Sequence, residues 1–560
     1  MKRVVSALTI LLASIVMVQA QNTSGILLNR DIIPTSSILS LSQREAVGTA
    51  RSMGMGGAFT SLGADMASFG YNPAGFGMYQ RNEISVSLGL GITNAKNYNA
   101  YSYGDNSSVR AAINNVGASF KVYESSGALT AINFAFGYNK TADYNFDMSY
   151  ESPTTISSLA DAFADIANGG GLGINQNNKI TDPNNYSDYD MNPYYWGAVM
   201  AYKGGLINLV EQPNGGFAWR PDEIGDGAQM SQYTNLASRG SAGEFSFALG
   251  FNINNIVYLG ASLDVQSISR KQSIYYNEYI NYAEGKQPDA VAYPYQLQQF
   301  ELGQSMSIDG SGIGAKFGVV VRPIEGLRIG FAVHTPTYYS VAYRYSAALS
   351  TVALSAGDNP YEWEVINGCV YADEATPTLQ DGGESRWTFT TPTRLLAGVS
   401  YAFGQYAVLS ADYQYDAYRS LKMNYAPLDS KVVDYSGYMN GIFRNNLKGT
   451  HTLRAGVEAK PSPWLSLRVG GGFRSNVLNR EYDFVALSEP MADKMWYASA
   501  GVGFRLSKVT SIDLAYQYRN TRYSDYYSFY TELGNTPNES PLYGLDLVNH
   551  NIALTFAFRF

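Results

Sequence analysis

Apolar and polar residues alternate along much of the chain, and the alternation is clearest in its last nine residues. Successive side chains point to opposite faces of a strand, so Ile552, Leu554, Phe556, Phe558 and Phe560 form one apolar face. An apolar strand at the free end of a soluble protein invites aggregation, because its edge is open to other chains. A closing barrel strand that faces lipid does not have this problem. The pattern therefore favours an outer-membrane β-barrel.

Further alternating stretches precede this strand, each about as long as a tilted membrane-spanning strand of roughly ten residues. The sequence predicts an all-β protein, a 14-stranded antiparallel transmembrane β-barrel. An even number of strands is typical of single-chain bacterial barrels. The predicted strands are Glu83–Ile92, Asn115–Tyr123, Leu129–Asn139, Gly243–Ile253, Ile256–Ile268, Ile308–Arg322, Gly326–Thr335, Trp387–Phe403, Gln405–Ala417, Thr450–Lys460, Trp464–Arg474, Lys494–Arg505, Ser511–Arg519 and His550–Phe560.

The links between predicted strands alternate in length. Those after even-numbered strands are very short, such as Asn254-Asn255 and Gly404, and those after odd-numbered strands are long. Outer-membrane barrels have short turns in the periplasm and long loops outside the cell. Parity then predicts that both chain termini lie in the periplasm. A β-sandwich would not separate turn lengths by parity, and a propeller would show a repeated blade motif.

The amino terminus and the composition agree with this location. Lys2 and Arg3 precede an apolar run that ends at Val18 and is followed by Ala20. This order is typical of a cleaved signal peptide over residues 1–20, and the alternative, a membrane anchor, needs a longer uninterrupted run. The net charge of −8 argues against nucleic acid as a partner. The single cysteine, Cys369, lies in a predicted loop and forbids an internal disulfide.

A glycine- and alanine-rich segment from Ala46 to Met78 precedes the first predicted strand and has no consistent period. Small residues allow tight turns and close packing, which suits a compact plug inside a barrel. Gly54, Gly56 and Gly57 could be taken for a nucleotide-binding loop, but no strand-then-helix context surrounds them. The sequence therefore predicts an amino-terminal hatch over residues 21–82, followed by the barrel over residues 83–560.

The order A-R-S-M-G-M-G-G-A-F, then A-D and N-P-A-G, from Ala50 to Gly75 resembles the hatch of the FadL/TodX family of outer-membrane transporters. The resemblance implies passive uptake of hydrophobic small molecules, such as long-chain fatty acids, by a monomer that contacts outer-membrane lipid. It implies no cofactor and no enzymatic activity. It also implies a gating role for the hatch, whereas the alternative is that Asn-Pro-Ala only shapes a turn. The implied gating residues are Arg51, Gly56, Gly57, Asn72, Pro73, Ala74 and Gly75.

One loop segment, Thr155 to Asn168, has apolar residues at helical spacing and ends before three glycines. In the FadL/TodX family, loop helices form a hydrophobic binding groove, and the resemblance extends that role to this helix. The alternative is that the helix packs against the barrel mouth. The candidate groove residues are Ile156, Leu159, Phe163 and Ile166.

Catalytic and metal chemistry have little support in the sequence. The three histidines, His334, His451 and His550, fall in or at the ends of predicted strands without a triad pattern around them. No metal-ligand spacing of His or Cys occurs, and Asp182 to Asp190 is either a calcium-binding loop or an ordinary solvated one. Two rival functions remain, a general porin for polar solutes and a surface adhesion or structural protein.

Overall fold

The computed structural model describes most of the chain, and all statements about contacts below refer to these residues. They are 24–25, 34–45, 48–102, 106–170, 196–221, 228–282, 295–355, 364–374, 385–425, 436–479, 491–533 and 536–560. The predicted signal peptide and the segment Asp182 to Asp190, with its two alternatives, lie outside the described residues.

The chain forms a closed barrel of 14 antiparallel strands in which each strand pairs with its neighbours in sequence and the last pairs with the first. The strands are β1 (Glu83–Tyr98), β2 (Ser107–Glu124), β3 (Leu129–Asp143 and Phe146–Glu151), β4 (Gln229–Ile253), β5 (Val257–Asn281), β6 (Tyr295–Ile324), β7 (Leu327–His334 and Tyr338–Ser355), β8 (Ser385–Thr390 and Arg394–Phe403), β9 (Ala407–Asp416 and Lys422–Tyr425), β10 (Thr450–Ser462), β11 (Leu465–Arg474), β12 (Ala492–Arg505), β13 (Thr510–Tyr523) and β14 (Leu542–Arg559).

All fourteen predicted strands are present, and β1 begins at Glu83 as predicted. Several strands run well beyond the predicted ends, and β6 reaches 30 residues. Three neighbouring strands, β7, β8 and β9, are interrupted at similar heights. Two of these interruptions contain Pro336 and Pro392, each flanked by threonines. Proline has no backbone N–H for the ladder, so β7 and β8 break where Pro336 and Pro392 fall.

The connections confirm the predicted alternation, with turns of a few residues at one end of the barrel and long loops at the other. We call these the turn end and the loop end. Glu83 and Arg559 pair at the turn end, as parity predicts for the barrel. The prediction that the amino-terminal end also lies at the turn end is wrong. Ser24–Gly25 pair with Tyr530 and Phe529, which lie in the loop between β13 and β14 at the loop end. The chain therefore runs from the loop end to the turn end before β1 begins.

The two faces of the strands differ in the way a lipid-facing barrel requires. Outward-pointing apolar side chains are exposed at alternate positions, as at Leu88, whose exposed fraction is 46%. The intervening inward side chains are small or polar, as at the fully buried Ser87. This is the alternation of apolar-out and polar-in residues that gives each strand a weak but regular sequence signal. Gly137, a glycine inside β3, is paired with Gly117 on one side and with Ser246 on the other, so the ladder continues through it.

Five α-helices lie outside the strands, and none of them, within the described residues, is long and apolar enough to cross a membrane. Shorter elements complete the loops. One of them, the strand Glu364–Glu374, pairs with β7 and contains Cys369, which therefore does not lie in an irregular loop. The helices are α1 (Thr35–Ser42), α2 (Ala50–Gly54), α3 (Leu159–Gly170), α4 (Trp196–Lys203) and α5 (Ser436–Asn446). The shorter elements are the 3-10 turns Met66–Phe69, Pro73–Met78 and Tyr418–Ser420, and the strands Ser24–Gly25, Tyr101–Ser102, Asn208–Glu211, Phe217–Arg220, Glu364–Glu374, Tyr526–Tyr527, Phe529–Leu533 and Thr536–Glu539.

Candidate functional site

Residues 48–79, which we call the hatch segment, are almost entirely buried and contact the inward faces of strands around the whole barrel. Helix α2 packs against β11 to β14, and the 3-10 turn Pro73–Met78 packs against β3 to β6. The segment ends near the turn end, where the Asn82 carbonyl accepts a hydrogen bond from Phe560 N at 3.0 Å. Opposite sides of the barrel wall are therefore linked through this one segment.

Close contact between the hatch segment and the wall depends on glycine. Gly56 adopts φ +62°, a conformation that side chains disfavour, and a Cβ there would lie 2.3 Å from the Gly471 nitrogen. On the wall, a Cβ at Gly260 would lie 2.2 Å from the Ala74 nitrogen. The small residues therefore allow the backbone of this segment to lie directly against the wall. Two further predicted residues also lie in tight turns, Gly57 at φ +69° and Gly75 beside Ser68.

Asn72 joins the hatch segment to itself and to the wall. Its Oδ1 accepts from Ala74 N at 3.0 Å and so caps the 3-10 turn that begins at Pro73. Its Nδ2 donates to Thr60 O at 2.8 Å and lies 3.3 Å from the carbonyl oxygens of both Val319 and Phe331, which are paired residues of β6 and β7. The Asn-Pro-Ala motif therefore shapes a turn and also contacts two wall strands. Its gating role stays a prediction.

Arg51 forms the charged contact between the hatch segment and the wall. Its Nε lies 3.0 Å from Glu458 Oε2, and Glu458 also pairs with Arg468 at 2.7 Å. Arg468 in turn contacts Asp513 at 2.5 Å, so the network crosses from β10 to β13. The Glu458 side chain is 1% exposed. A buried carboxylate is stable only when it is paired and hydrogen-bonded, and both conditions hold here.

Besides Arg468, five buried or half-buried arginines on separate strands of the described residues point into the barrel interior beside the hatch segment. They line two cavities of about 70 Å³ and 20 Å³, which share Arg44 and Arg474. The guanidinium of Arg454 lies 5.6 Å from the centre of the Tyr71 ring of the hatch segment. The wall arginines are Arg270 on β5, Arg394 on β8, Arg454 on β10, Arg474 on β11 and Arg519 on β13. We call the two adjoining cavities with these arginines the arginine cavity. Sequence reasoning did not identify it.

A large apolar core fills the loop end of the barrel above the arginine cavity. Among the predicted groove residues, Leu159 and Phe163 are fully buried in this core and Ile166 is 9% exposed. Ile156 is 76% exposed and lies apart from them. In this conformation the three buried side chains pack within the protein, as the alternative proposed, and a capture role for α3 stays a prediction.

The start of α3 is held by a buried carboxylate that sequence reasoning missed. Glu278 Oε2 accepts from Leu159 N at 3.2 Å, and the Ser158 hydroxyl donates to Oε1. Tyr276 and Gln232 donate to the same carboxylate at 2.5 and 3.2 Å. A carboxylate at a helix N-terminus is favoured by the helix dipole and by the free N–H groups there. Glu278 thereby attaches the loop helix to β5.

The three histidines occupy strands, as predicted, and each contacts a carbonyl or a tyrosine. His334 Nε2 lies 2.8 Å from Tyr71 O of the hatch segment. His451 and His550 each contact a tyrosine hydroxyl through Nδ1, at 2.7 and 2.8 Å. These contacts are structural, and the described neighbours form no Ser-His-Asp arrangement.

Solved structures with a similar architecture were found, whereas no protein-family model and no curated protein sequence matches the chain. A Pseudomonas aeruginosa FadL homologue is 12% identical and has a TM-score of 0.50, and the match covers 92% of this chain and 99% of the other. The Pseudomonas putida toluene transporter TodX is 12% identical over 93% and 100% of the two chains, with a TM-score of 0.48. The Ralstonia pickettii toluene transporter TbuX is 14% identical over 92% and 99%, with a TM-score of 0.46.

The similarity to the FadL homologue shows the fold. The chain is a 14-stranded barrel of the FadL/TodX type, and the resemblance inferred from the sequence is confirmed at the level of fold.

Proposed function

We propose that this protein is an outer-membrane transporter for passive uptake of hydrophobic small molecules, with residues 21–82 as its hatch. The observation that carries the proposal is the buried hatch segment, which contacts strands on opposite sides of a closed barrel. A segment in that position obstructs the direct path through the lumen, so passage requires it to shift. The names of the solved structures with similar folds, which are transporters and channels, support transport rather than enzymatic activity.

An apolar ligand would meet two different environments on its way through the barrel. The apolar core at the loop end suits a hydrocarbon chain, and the arginine cavity below it suits an acidic head group. Phe146 and Leu547 belong to the core and also line the cavity, so the two environments are continuous. This continuity favours acidic amphipaths, such as long-chain fatty acids, over neutral hydrocarbons as ligands.

Gating would proceed through the contacts of the hatch segment with the wall. Arg51 and Asn72 supply the polar contacts, and Gly56, Gly57, Pro73, Ala74 and Gly75 supply the close packing. Displacement of the segment would need these contacts to break together, which keeps the path closed in the absence of ligand.

Planar-bilayer conductance tests the proposal against the porin alternative. We expect the purified protein to show a low basal conductance with rare openings, because the hatch segment occupies the interior. A large steady conductance from each inserted molecule would contradict the proposal and favour a general porin.

A further inference from the structure

The loop-side ends of β4 to β7 form a sheet that continues well above the apolar band of the barrel. The highest complete outward row of large apolar or aromatic side chains crosses the four strands in direct register and is exposed. It consists of Phe245, Val265, Ile313 and Tyr338. We call the outward side of residues 229–241, 269–281, 299–309 and 340–350, which lie beyond this row, the projecting face.

A row of basic side chains crosses the lower part of the projecting face, and we call Arg239, Lys271 and Arg344 the basic row. Lys271 on β5 lies directly opposite Arg239 on β4 and Ser307 on β6. Ser307 in turn lies opposite Arg344 on β7. Both arginines pair with an aspartate, whereas the Lys271 ammonium has no partner among the described residues. Like charges directly opposite each other on neighbouring strands are destabilising, and an anion bound between Arg239 and Lys271 would relieve that repulsion.

The basic row lies above the head groups of ordinary phospholipids. Lys271 is six residues beyond Val265 on the same strand, which corresponds to roughly 20 Å along the strand and, with the usual tilt, about 15 Å in height. Polar head groups extend a bilayer by only about 5–8 Å on each side. A lipid that contacts the basic row therefore needs a larger head group, and a glycolipid with an oligosaccharide head has one.

Exposed tyrosines lie further out on the projecting face. A row of small residues, with Ser273 between Ala237 and Ser305, separates them from the basic row and leaves a shallow groove. Tyr275 and Tyr279 follow and are 45% and 41% exposed. Tyrosines that anchor a barrel at the membrane interface lie next to the apolar band, so these two need another explanation.

Fixed hydrogen-bonding groups surround the tyrosine rings. Asn277 Nδ2 donates to Glu301 Oε1 at 3.2 Å, and Gln299 Nε2 donates to the same oxygen at 3.0 Å. The Tyr233 ring meets the Tyr279 ring edge to face, with 5.7 Å between the ring centroids. A sugar has C–H groups that pack on aromatic rings and hydroxyls that pair with amides and carboxylates. The outer part of the projecting face therefore suits a saccharide.

We propose that the projecting face binds the phosphorylated sugar head group of an outer-leaflet glycolipid. The phosphate lies at the basic row, the sugars extend across the groove to Tyr275 and Tyr279, and the acyl chains lie along the apolar band below. The amides and carboxylate around Glu301 face hydroxyls and the cations face the phosphate, so the charges fix the direction of the head group. The inference goes beyond transport and rests only on the position of the barrel in an outer membrane.

Native mass spectrometry of the purified full chain in an uncharged detergent tests the proposal, because it counts bound lipids. The probes are rough lipopolysaccharide with a phosphorylated core, the same glycolipid after its phosphates are removed, phosphatidylglycerol, and the released core oligosaccharide. We expect lipopolysaccharide to bind about tenfold more tightly than phosphatidylglycerol, and removal of its phosphates to weaken it by about tenfold. The released oligosaccharide should bind more weakly than the intact glycolipid.

Two variants separate the phosphate contact from the sugar contact. Lys271→Gln should weaken intact lipopolysaccharide about fivefold and leave its dephosphorylated form unchanged. Tyr275→Ser should weaken both forms several-fold, because it removes a ring that packs on the sugar. The matched controls are Lys494→Gln, exposed on β12 at the opposite side of the barrel, and Tyr406→Ser, exposed at the turn end, and neither should change binding. Heat-modifiable electrophoretic mobility confirms that each variant is folded.

Other outcomes would overturn the proposal. Phosphatidylglycerol that binds as tightly as lipopolysaccharide would show that the basic row takes any anionic lipid. Released oligosaccharide that binds as tightly as the intact glycolipid would indicate a receptor for soluble glycans. If Lys271→Gln weakens both forms equally, the lysine does not contact phosphate, and if neither variant changes binding, the glycolipid lies elsewhere on the barrel. The proposed transport function stands in each case, because the projecting face points away from the lumen.

Discussion

The substitution Glu458→Gln should release the hatch segment from the wall. Glu458 accepts from Arg51 at 3.0 Å and from Arg468 at 2.7 Å, and Lys460 lies 3.4 Å from its other oxygen. Glutamine keeps the shape of the side chain but removes its charge and turns one acceptor into a donor. Whichever way the amide turns, its NH2 group faces a cation, and Arg51 loses its charged partner at Glu458.

The cost can be worked from the partners that remain. Removing one member of a buried ion pair typically costs about 3–5 kcal/mol. Here the Arg51 side chain is 24% exposed and keeps Asp65 at 4.0 Å, and Arg468 keeps Asp513 at 2.5 Å. These residual contacts reduce the expected loss of hatch docking to about 2 kcal/mol. That loss corresponds to an increase of about 30-fold in the population with the segment undocked.

Thiol labelling measures this population directly. Cys369→Ser removes the only native thiol, and Ser61→Cys places a probe in the hatch segment, where Ser61 is fully buried. When redocking is fast, the labelling rate follows the undocked fraction. We expect Glu458→Gln to raise the rate about 30-fold.

The control is Glu124→Gln, which makes the same chemical change at an ion pair whose carboxylate is 69% exposed. Exposed pairs contribute about 0–1 kcal/mol, so this variant should change labelling less than a few-fold. Equal labelling rates in Glu458→Gln and the control would refute the conclusion that the Arg51 pair secures the hatch segment.

Two further predictions use the Ser61→Cys probe, and a third concerns the loop helix α3. Asn72→Ala removes the cap and the contacts to both wall strands and should raise Ser61→Cys labelling about 10- to 100-fold; an unchanged rate would mean that the motif is not a clamp. Gly318→Ala puts a Cβ 1.8 Å from Asn72 Oδ1 and should raise the labelling rate by a similar factor. Gly441→Ala, with open space around its Cβ, should leave the labelling rate unchanged. Burial raises the pKa of Asp161 on α3 to about 6. Because its folded pKa lies above the unfolded value of 3.8, the carboxyl favours docking at low pH and that advantage is lost as pH rises through 6. Asp161→Asn should therefore strengthen docking of α3 by about 1–3 kcal/mol at pH 7.5 and have no effect near pH 4, measured by hydrogen exchange of the helix amides.

The barrel could be predicted from the sequence because its signal is local. Side chains alternate on a strand, so a short stretch such as Ile84 to Leu90 already specifies which face is apolar and points outward. Link lengths then fix the parity of every loop. The lengths of β4 to β6 could not be predicted in this way, because their outer parts pair with each other above the apolar band and carry mixed residues.

The arginine cavity was missed because its residues are far apart in sequence and come together only when the barrel closes. A signal was nevertheless present in the strand parity. Arg454 and Arg474 directly follow Leu453 and Phe473, which are 57% and 47% exposed on the outer face. Each arginine next to an outward apolar residue must point inward. The path of residues 34–45 has no such local signal, because it depends on contacts with strand residues far along the chain, such as Arg270 and Arg519.

Hatch-gated passage of amphipaths is tested most directly by flux into proteoliposomes. Dodecanoate and arabinose entry would be compared for the unmodified protein, the Glu458→Gln variant and protein-free liposomes. The account predicts saturable dodecanoate entry that needs no energy source, slow arabinose entry, and faster entry of both solutes through Glu458→Gln. Rapid arabinose entry through the unmodified protein, with dodecanoate no faster than in protein-free liposomes, would contradict it.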